Sequence, residues 1–64
     1  MKKTRIQIKD IRPGDTLINV KYGNRTVTRV VRGRYYEQTG FLDLYDGDVL
    51  IATGHEDEKR NILR

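Results

Sequence analysis

No cysteine occurs in this sequence, so neither a disulfide nor a thiolate metal site is available to it. That absence fits a reducing compartment. The only histidine is His55, whereas a zinc site of ordinary type takes at least two nitrogen or sulfur ligands beyond carboxylates. The longest apolar run, Val49-Leu50-Ile51-Ala52, is far short of the ~20 residues of a membrane span. Lys2 and Lys3 open the chain with positive charge, but Thr4, Arg5, Gln7 and Lys9 interrupt any apolar stretch behind them. The sequence therefore predicts no signal peptide, no membrane contact and a cytoplasmic setting. Apolar residues never recur at i, i+3, i+4, i+7, which removes long amphipathic helices. No phosphate-cradling glycine loop is present, and His55 has no nucleophile at a useful spacing, so the expectation is a noncatalytic protein without cofactors. At 64 residues one domain spanning 1–64 is expected. A core that small supplies only ~3–5 kcal/mol, and self-association into a homo-oligomer is compatible with it.

Charge is present in quantity and is divided by position. Residues 1–34 hold ten basic side chains against Asp10 and Asp15, whereas residues 35–64 hold seven acidic side chains against Lys59, Arg60 and Arg64. The halves are near +8 and −4, within a net charge of +4. A basic surface attracts polyanions. The same division also serves folding if the acidic late strands lie beside the basic early ones.

Turn and strand signals dominate. Residues 4–8 alternate, with Ile6 and Ile8 on one face. Arg12-Pro13-Gly14-Asp15 has the chemistry of a type II turn, with proline at the second position and glycine at the third. A strand over 16–22 follows, and Gly23-Asn24 reads as a two-residue hairpin. Residues 26–32 are β-branched; a bulge near Thr28 would turn Val27 and Val30 inward and spare Arg29 a buried position. Gly33 permits a bend, and a polar loop runs to Gly40. Residues 41–45 follow as a strand with Leu42 and Leu44 inward, and Asp46-Gly47 suits a type I′ hairpin. Residues 48–53 read as a central strand, 53–58 as a polar connection and 61–63 as a last strand. The Glu56–Arg60 spacing is compatible with one helical turn within 54–61. The expected fold is all-β, a small barrel of five or six short antiparallel strands, whose closure would remove free edges. Its expected core is Ile6, Ile8, Ile11, Leu17, Ile18, Val20, Val27, Val30, Leu42, Leu44, Val49, Ile51 and Ile62.

Three segments carry a resemblance to known folds: Ile11-Arg12-Pro13-Gly14-Asp15-Thr16-Leu17, Arg25-Thr26-Val27-Thr28-Arg29-Val30 and the Asp46-Gly47 hairpin. Together they resemble the SH3-like small barrels, in particular KOW-type and Tudor-type domains, and are similar to short bacteriophage and bacterial proteins. The resemblance covers most of the chain. It implies a binding module and assigns no particular ligand residue.

The densest candidate site is Arg32-Gly33-Arg34-Tyr35-Tyr36, which Arg25 and Arg29 would extend. Arginines contact phosphates and tyrosine rings stack on bases. Adjacent Tyr35 and Tyr36 would point to opposite faces, one of them serving as a core or rim aromatic. Lys2, Lys3, Arg5 and Lys9 could add phosphate contacts or form a solvated terminus. Asp43, Asp46 and Asp48 lack the spacing of an EF-hand loop. The acidic run His55-Glu56-Asp57-Glu58 could mimic a phosphate backbone or meet basic residues of a partner. Two function classes remain: a nucleic-acid-binding module using Arg25, Arg29, Arg32, Arg34, Tyr35 and Tyr36, or a protein-interaction module such as a small phage-type accessory or inhibitor protein acting on a host protein.

Overall fold

The computed structural model describes residues 2–19 and 21–64. Strand β1 (Lys3–Gln7) leads into a 3-10 turn (Ile8–Asp10), followed by β2 (Thr16–Leu17), β3 (Arg25–Thr26) and β4 (Arg29–Arg32). A single helical turn, α1 (Tyr36–Thr39), precedes β5 (Phe41–Asp46), β6 (Val49–His55) and β7 (Lys59–Leu63). The strands form two antiparallel sheets, ordered β1-β7-β2-β3 and β4-β5-β6. The architecture is all-β and compatible with an SH3-like fold, but the two sheets do not close into a barrel. No helix among the described residues is long and apolar enough to cross a membrane.

Seven strands replace the expected five or six because the run over 26–32 divides. Val27 N–H donates to the Asp15 carbonyl and the Val27 carbonyl accepts from Gly14 N–H, both at 2.8 Å, tying this residue to the Pro13-Gly14 turn. One residue later, Thr28 N–H donates to the Tyr45 carbonyl at 2.8 Å. The chain thus passes from one sheet to the other between Val27 and Thr28. The expected consequence for the side chains holds: Val27 is fully buried, Val30 packs against the core and Arg29 is exposed.

The turn at Arg12–Asp15 forms as expected, with Gly14 at φ 101° and Asp15 N–H donating to the Arg12 carbonyl at 3.1 Å. The next hairpin does not. Asn19 Oδ1 accepts the backbone N–H groups of Lys21 and Tyr22 at 2.7 and 3.0 Å and turns the chain early. The strand observed within the expected 16–22 is therefore Thr16–Leu17, and the described residues 18–19 and 21–24 lie in neither strand, so that Gly23-Asn24 is not a two-residue hairpin. The later hairpin exists, but Gly47 alone has positive φ (63°). Because a type I′ turn needs positive φ at both central residues, the Gly47-Asp48 pair instead follows the II′ pattern, with glycine first.

The buried core comprises Ile8, Ile11, Leu17, Val27, Leu42, Leu44, Ile51 and Ile62, with Ile6, Val30, Tyr36 and Ala52 packed against it. Ile18 is half-buried, and Val20 lies outside the described residues. Val49 corrects the expected list: it is 43% exposed. The β5–β6 register slips between Leu44 and Tyr45, so that Ile51 turns inward while Val49 and Leu50 remain outside. β6 is also an edge strand, not a central one. Its outer side is partly occupied, since Asn19 Nδ2 donates to the Ile51 carbonyl at 2.9 Å and Arg60 Nη2 to the Thr53 carbonyl at 3.3 Å. Such occupation discourages edge-to-edge pairing. The helical turn falls within the polar loop before Gly40, not within 54–61, where β6 continues to His55 and β7 starts at Lys59. Arg60 accordingly pairs with Glu58 at 3.0 Å instead of Glu56.

Candidate nucleic-acid interface

Strand β4 lies at one edge of its sheet, paired only with β5. Its pairing assigns its side chains to faces, because residues directly opposite in an antiparallel pair share a face. Val30 stands opposite buried Leu44 and Arg32 opposite buried Leu42, so both belong to the core side. Arg29 and Val31 stand opposite Tyr45 and Asp43 on the outer side. Arg29 and Arg32 thus leave the same strand on different faces.

Each of three arginines in this region covers a tyrosine. The Arg29 guanidinium carbon is 4.5 Å from the Tyr45 ring centroid, Arg32 is 4.7 Å from Tyr36 and Arg34 is 5.5 Å from Tyr35. Exposed contacts of this kind contribute ~0.5–1 kcal/mol each and restrict the guanidinium. Tyr35 is 61% exposed, whereas neighbouring Tyr36 packs against the core, so the two rings do part to opposite sides. Hydrogen bonding toward Glu56, with burial, holds the Tyr36 phenol above its ordinary value.

The remaining candidate is differently engaged. Arg25 Nε donates to Asp46 Oδ2 at 2.8 Å, with both side chains about one-third exposed. Lys9 pairs with Asp57 at 3.3 Å, Arg60 with Glu58 and Arg64 with Asp15. Two of these pairs, Lys9–Asp57 and Arg25–Asp46, set an acid of the second half against a base of the first; Arg60–Glu58 lies within the second half and Arg64–Asp15 runs the opposite way. Among the described residues, Arg29, Arg32 and Arg34 have no carboxylate partner.

The outer face of β4-β5-β6 adds two aromatics, Phe41 and Tyr45, that the sequence reading did not single out. Phe41, Asp43 and Tyr45 alternate outward along β5, opposite Leu42 and Leu44 inward. His55 meets Phe41 edge-on at 6.4 Å between centroids, and Thr53 Oγ1 donates to Asp43 Oδ1 at 2.7 Å. Phe41 and Leu50 are 44% and 45% exposed. The signal for this face was the period-two alternation of residues 41–45, which places two aromatics on the solvent side whenever the leucines face the core. No cavity indents the described surface, so the features on offer are a strand edge and the outer face of a sheet. The chain matches no protein-family model, no curated protein and no solved structure.

Proposed function

We propose that this chain is a noncatalytic module that binds nucleic acid along β4 and the turn after it. The observation that carries this reading is the trio Arg29, Arg32 and Arg34, each held on a tyrosine ring and each without a carboxylate partner among the described residues. Guanidinium groups suit phosphate oxygens, and tyrosine rings suit bases. The net charge of +4 favours encounter with a polyanion. Arg25 is committed to Asp46 and lends less charge to this surface. Kinship with KOW-type or Tudor-type domains and with phage proteins belongs to this proposal and is supported by turn chemistry alone. The lack of cysteine supports a cytoplasmic setting.

The deciding experiment is a salt titration of binding to mixed-sequence DNA and RNA. Three neutralised phosphates give a log–log slope of roughly −2.7 on duplex DNA and about −2.1 on a single strand. Binding that Arg32→Ala with Arg34→Ala leaves unchanged, or no binding at low salt, overturns the reading. A second reading is favoured by the exposed apolar pair Val49 and Leu50 at the start of β6. These would suit a protein partner such as a host protein met by a phage-type accessory or inhibitor. Loss of such a partner on Leu50→Ser, with nucleic-acid binding absent, would select it.

A further inference from the structure

We infer that the ligand is single-stranded nucleic acid, its phosphates following the β4 edge and its bases lying on the outer face of β4-β5-β6, with Phe41 and Tyr45 as stacking platforms. This rests on the nucleic-acid reading above and narrows it. Charge is graded across that face. On that face Arg29 stands on the edge strand β4, Arg32 leaves the same edge strand toward the other side and Arg34 follows it in the turn, whereas Asp43 occupies the middle strand. A phosphate chain is therefore drawn to β4 and kept off β5. The bases attached to it then lie over β5, beside exposed Phe41 and half-buried Tyr45, one side of whose ring carries the Arg29 guanidinium. Between them Asp43, fixed by Thr53 Oγ1, can accept hydrogen bonds only, which suits the N–H groups of unpaired bases, the N3–H of thymine among them. Phe41 and Tyr45 are four residues apart on one strand, roughly 14 Å, with Asp43 halfway.

A duplex cannot use this face, because its bases are stacked on one another and are reachable only through grooves. The major groove admits a helix or a two-stranded ribbon. The only α-helix among the described residues is the four-residue α1, and the β5–β6 hairpin packs one side into the core through Leu42, Leu44 and Ile51 instead of projecting as a free ribbon. The mixture of guanidinium and exposed aromatic groups thus fits unstacked bases better than paired ones.

The test compares a 20-nucleotide oligothymidylate with a mixed-sequence DNA duplex of equal length at low salt, using the full chain. The expected result is at least tenfold preference for the single strand. Phe41→Ala and Tyr45→Ala should each weaken that binding roughly 5- to 150-fold while leaving the duplex affinity unchanged. Because truncation could disturb the sheet, Phe41→Trp supplies an independent readout. It introduces the sole tryptophan, and its fluorescence should be quenched on adding oligothymidylate and unaffected by duplex. Equal affinity for both forms, or tight binding to oligothymidylate without quenching, overturns the single-strand inference while leaving the nucleic-acid reading in place. A fall in molar mass by light scattering on Phe41→Ala would assign the face to a second copy of the chain and also overturn it. Failure of both oligonucleotides to bind at low salt removes the parent reading itself.

Discussion

Arg64 grips Asp15 with two nitrogens, Nε to Oδ1 at 3.0 Å and Nη2 to Oδ2 at 2.8 Å, and so ties the last residue of the chain to the turn that begins β2. Asp15 Oδ2 also accepts the Arg12 backbone N–H at 2.9 Å, and the residue is only 6% exposed. This one carboxylate holds the Pro13-Gly14 turn from within and the chain end from outside. The Arg64 hydrogen bonds, followed by the Arg12 N–H, outweigh burial and lower its pKa from the ordinary 3.8.

A depressed carboxylate pKa stabilises the fold above the unfolded value and ceases to do so as pH falls through the native value. Stability should therefore be flat near neutrality and fall below about pH 4 as Asp15 is protonated. Urea midpoints measured from pH 7 to pH 2 should show this drop, and Asp15→Asn should remove much of its steepness. At pH 7, Asp15→Ala should cost about 2–3 kcal/mol, because it also leaves the Arg12 N–H without its partner. Arg64→Ala should cost less, since nearly half of that side chain is in water. Equal losses for the two variants would mean that the ion pair, and not the turn, is the important contact.

Gly54 faces the core side of β6 opposite Leu42, where there is no room for a side chain. A Cβ there would come within 2.6 Å of Glu58 Oε2, 2.9 Å of Ile8 Cδ1 and 3.0 Å of Arg60 Nη2. Glu58 and Arg60 end in mobile groups and can move, but Ile8 is fully buried and cannot. Gly54→Ala should thus destabilise by about 1–3 kcal/mol, the usual range for overpacking. Adding Glu58→Ala should recover only a small part. Full recovery in the double variant would show that the obstacle is the surface pair and not the core.

Leu44 is fully buried at the centre of β5, with Val30 and Ala52 opposite it on the two neighbouring strands. Leu44→Ala should cost about 2–5 kcal/mol. In a domain whose whole stability is on the order of 3–5 kcal/mol, that is enough to leave much of the chain unfolded at 25 °C. Circular dichroism at increasing urea is the measurement. A variant that keeps a cooperative transition at the original midpoint would require a source of stability beyond this core, such as self-association.

Local chemistry made much of this architecture legible. The leucine alternation in 42–44 and the Pro13-Gly14 turn each follow from a few adjacent residues, and both occur where expected. The failures come from contacts between residues distant in sequence. Asn19 ends β2 by capping Lys21 and Tyr22 while its amide bonds Ile51, and nothing near Asn19 announces that second bond. Val49 reads as core until the bulge at Leu44/Tyr45 shifts β6 by one residue. The candidate site shows the same division. Tyrosines adjacent to arginines in sequence were visible as a cluster, but the stacking of Arg29 on Tyr45 depends on strand register.

Register also separates the arginines by role, and this can be measured. Arg25 lies in β3 and is held by Asp46 across the gap between the two sheets, whereas Arg32 and Arg34 have only tyrosines for company. Arg25→Ala should therefore affect stability, by about 0.5–1 kcal/mol, and leave Asp46 uncompensated. Because Asp46 already neutralises Arg25, that guanidinium neutralises no phosphate, and the salt slope of nucleic-acid binding should change little. Arg32→Ala and Arg34→Ala should differ in the binding readout. Each removes one unpaired charge, so each should make the slope shallower by roughly 0.7–0.9, while loss of the tyrosine contact costs at most ~0.5–1 kcal/mol of stability. Asp46→Asn provides the control: it releases Arg25, and if that guanidinium can reach the ligand, binding should strengthen and the slope steepen. If Arg25→Ala instead weakens binding as much as Arg32→Ala, then Arg25 exchanges Asp46 for phosphate on binding, and the interface extends across both sheets.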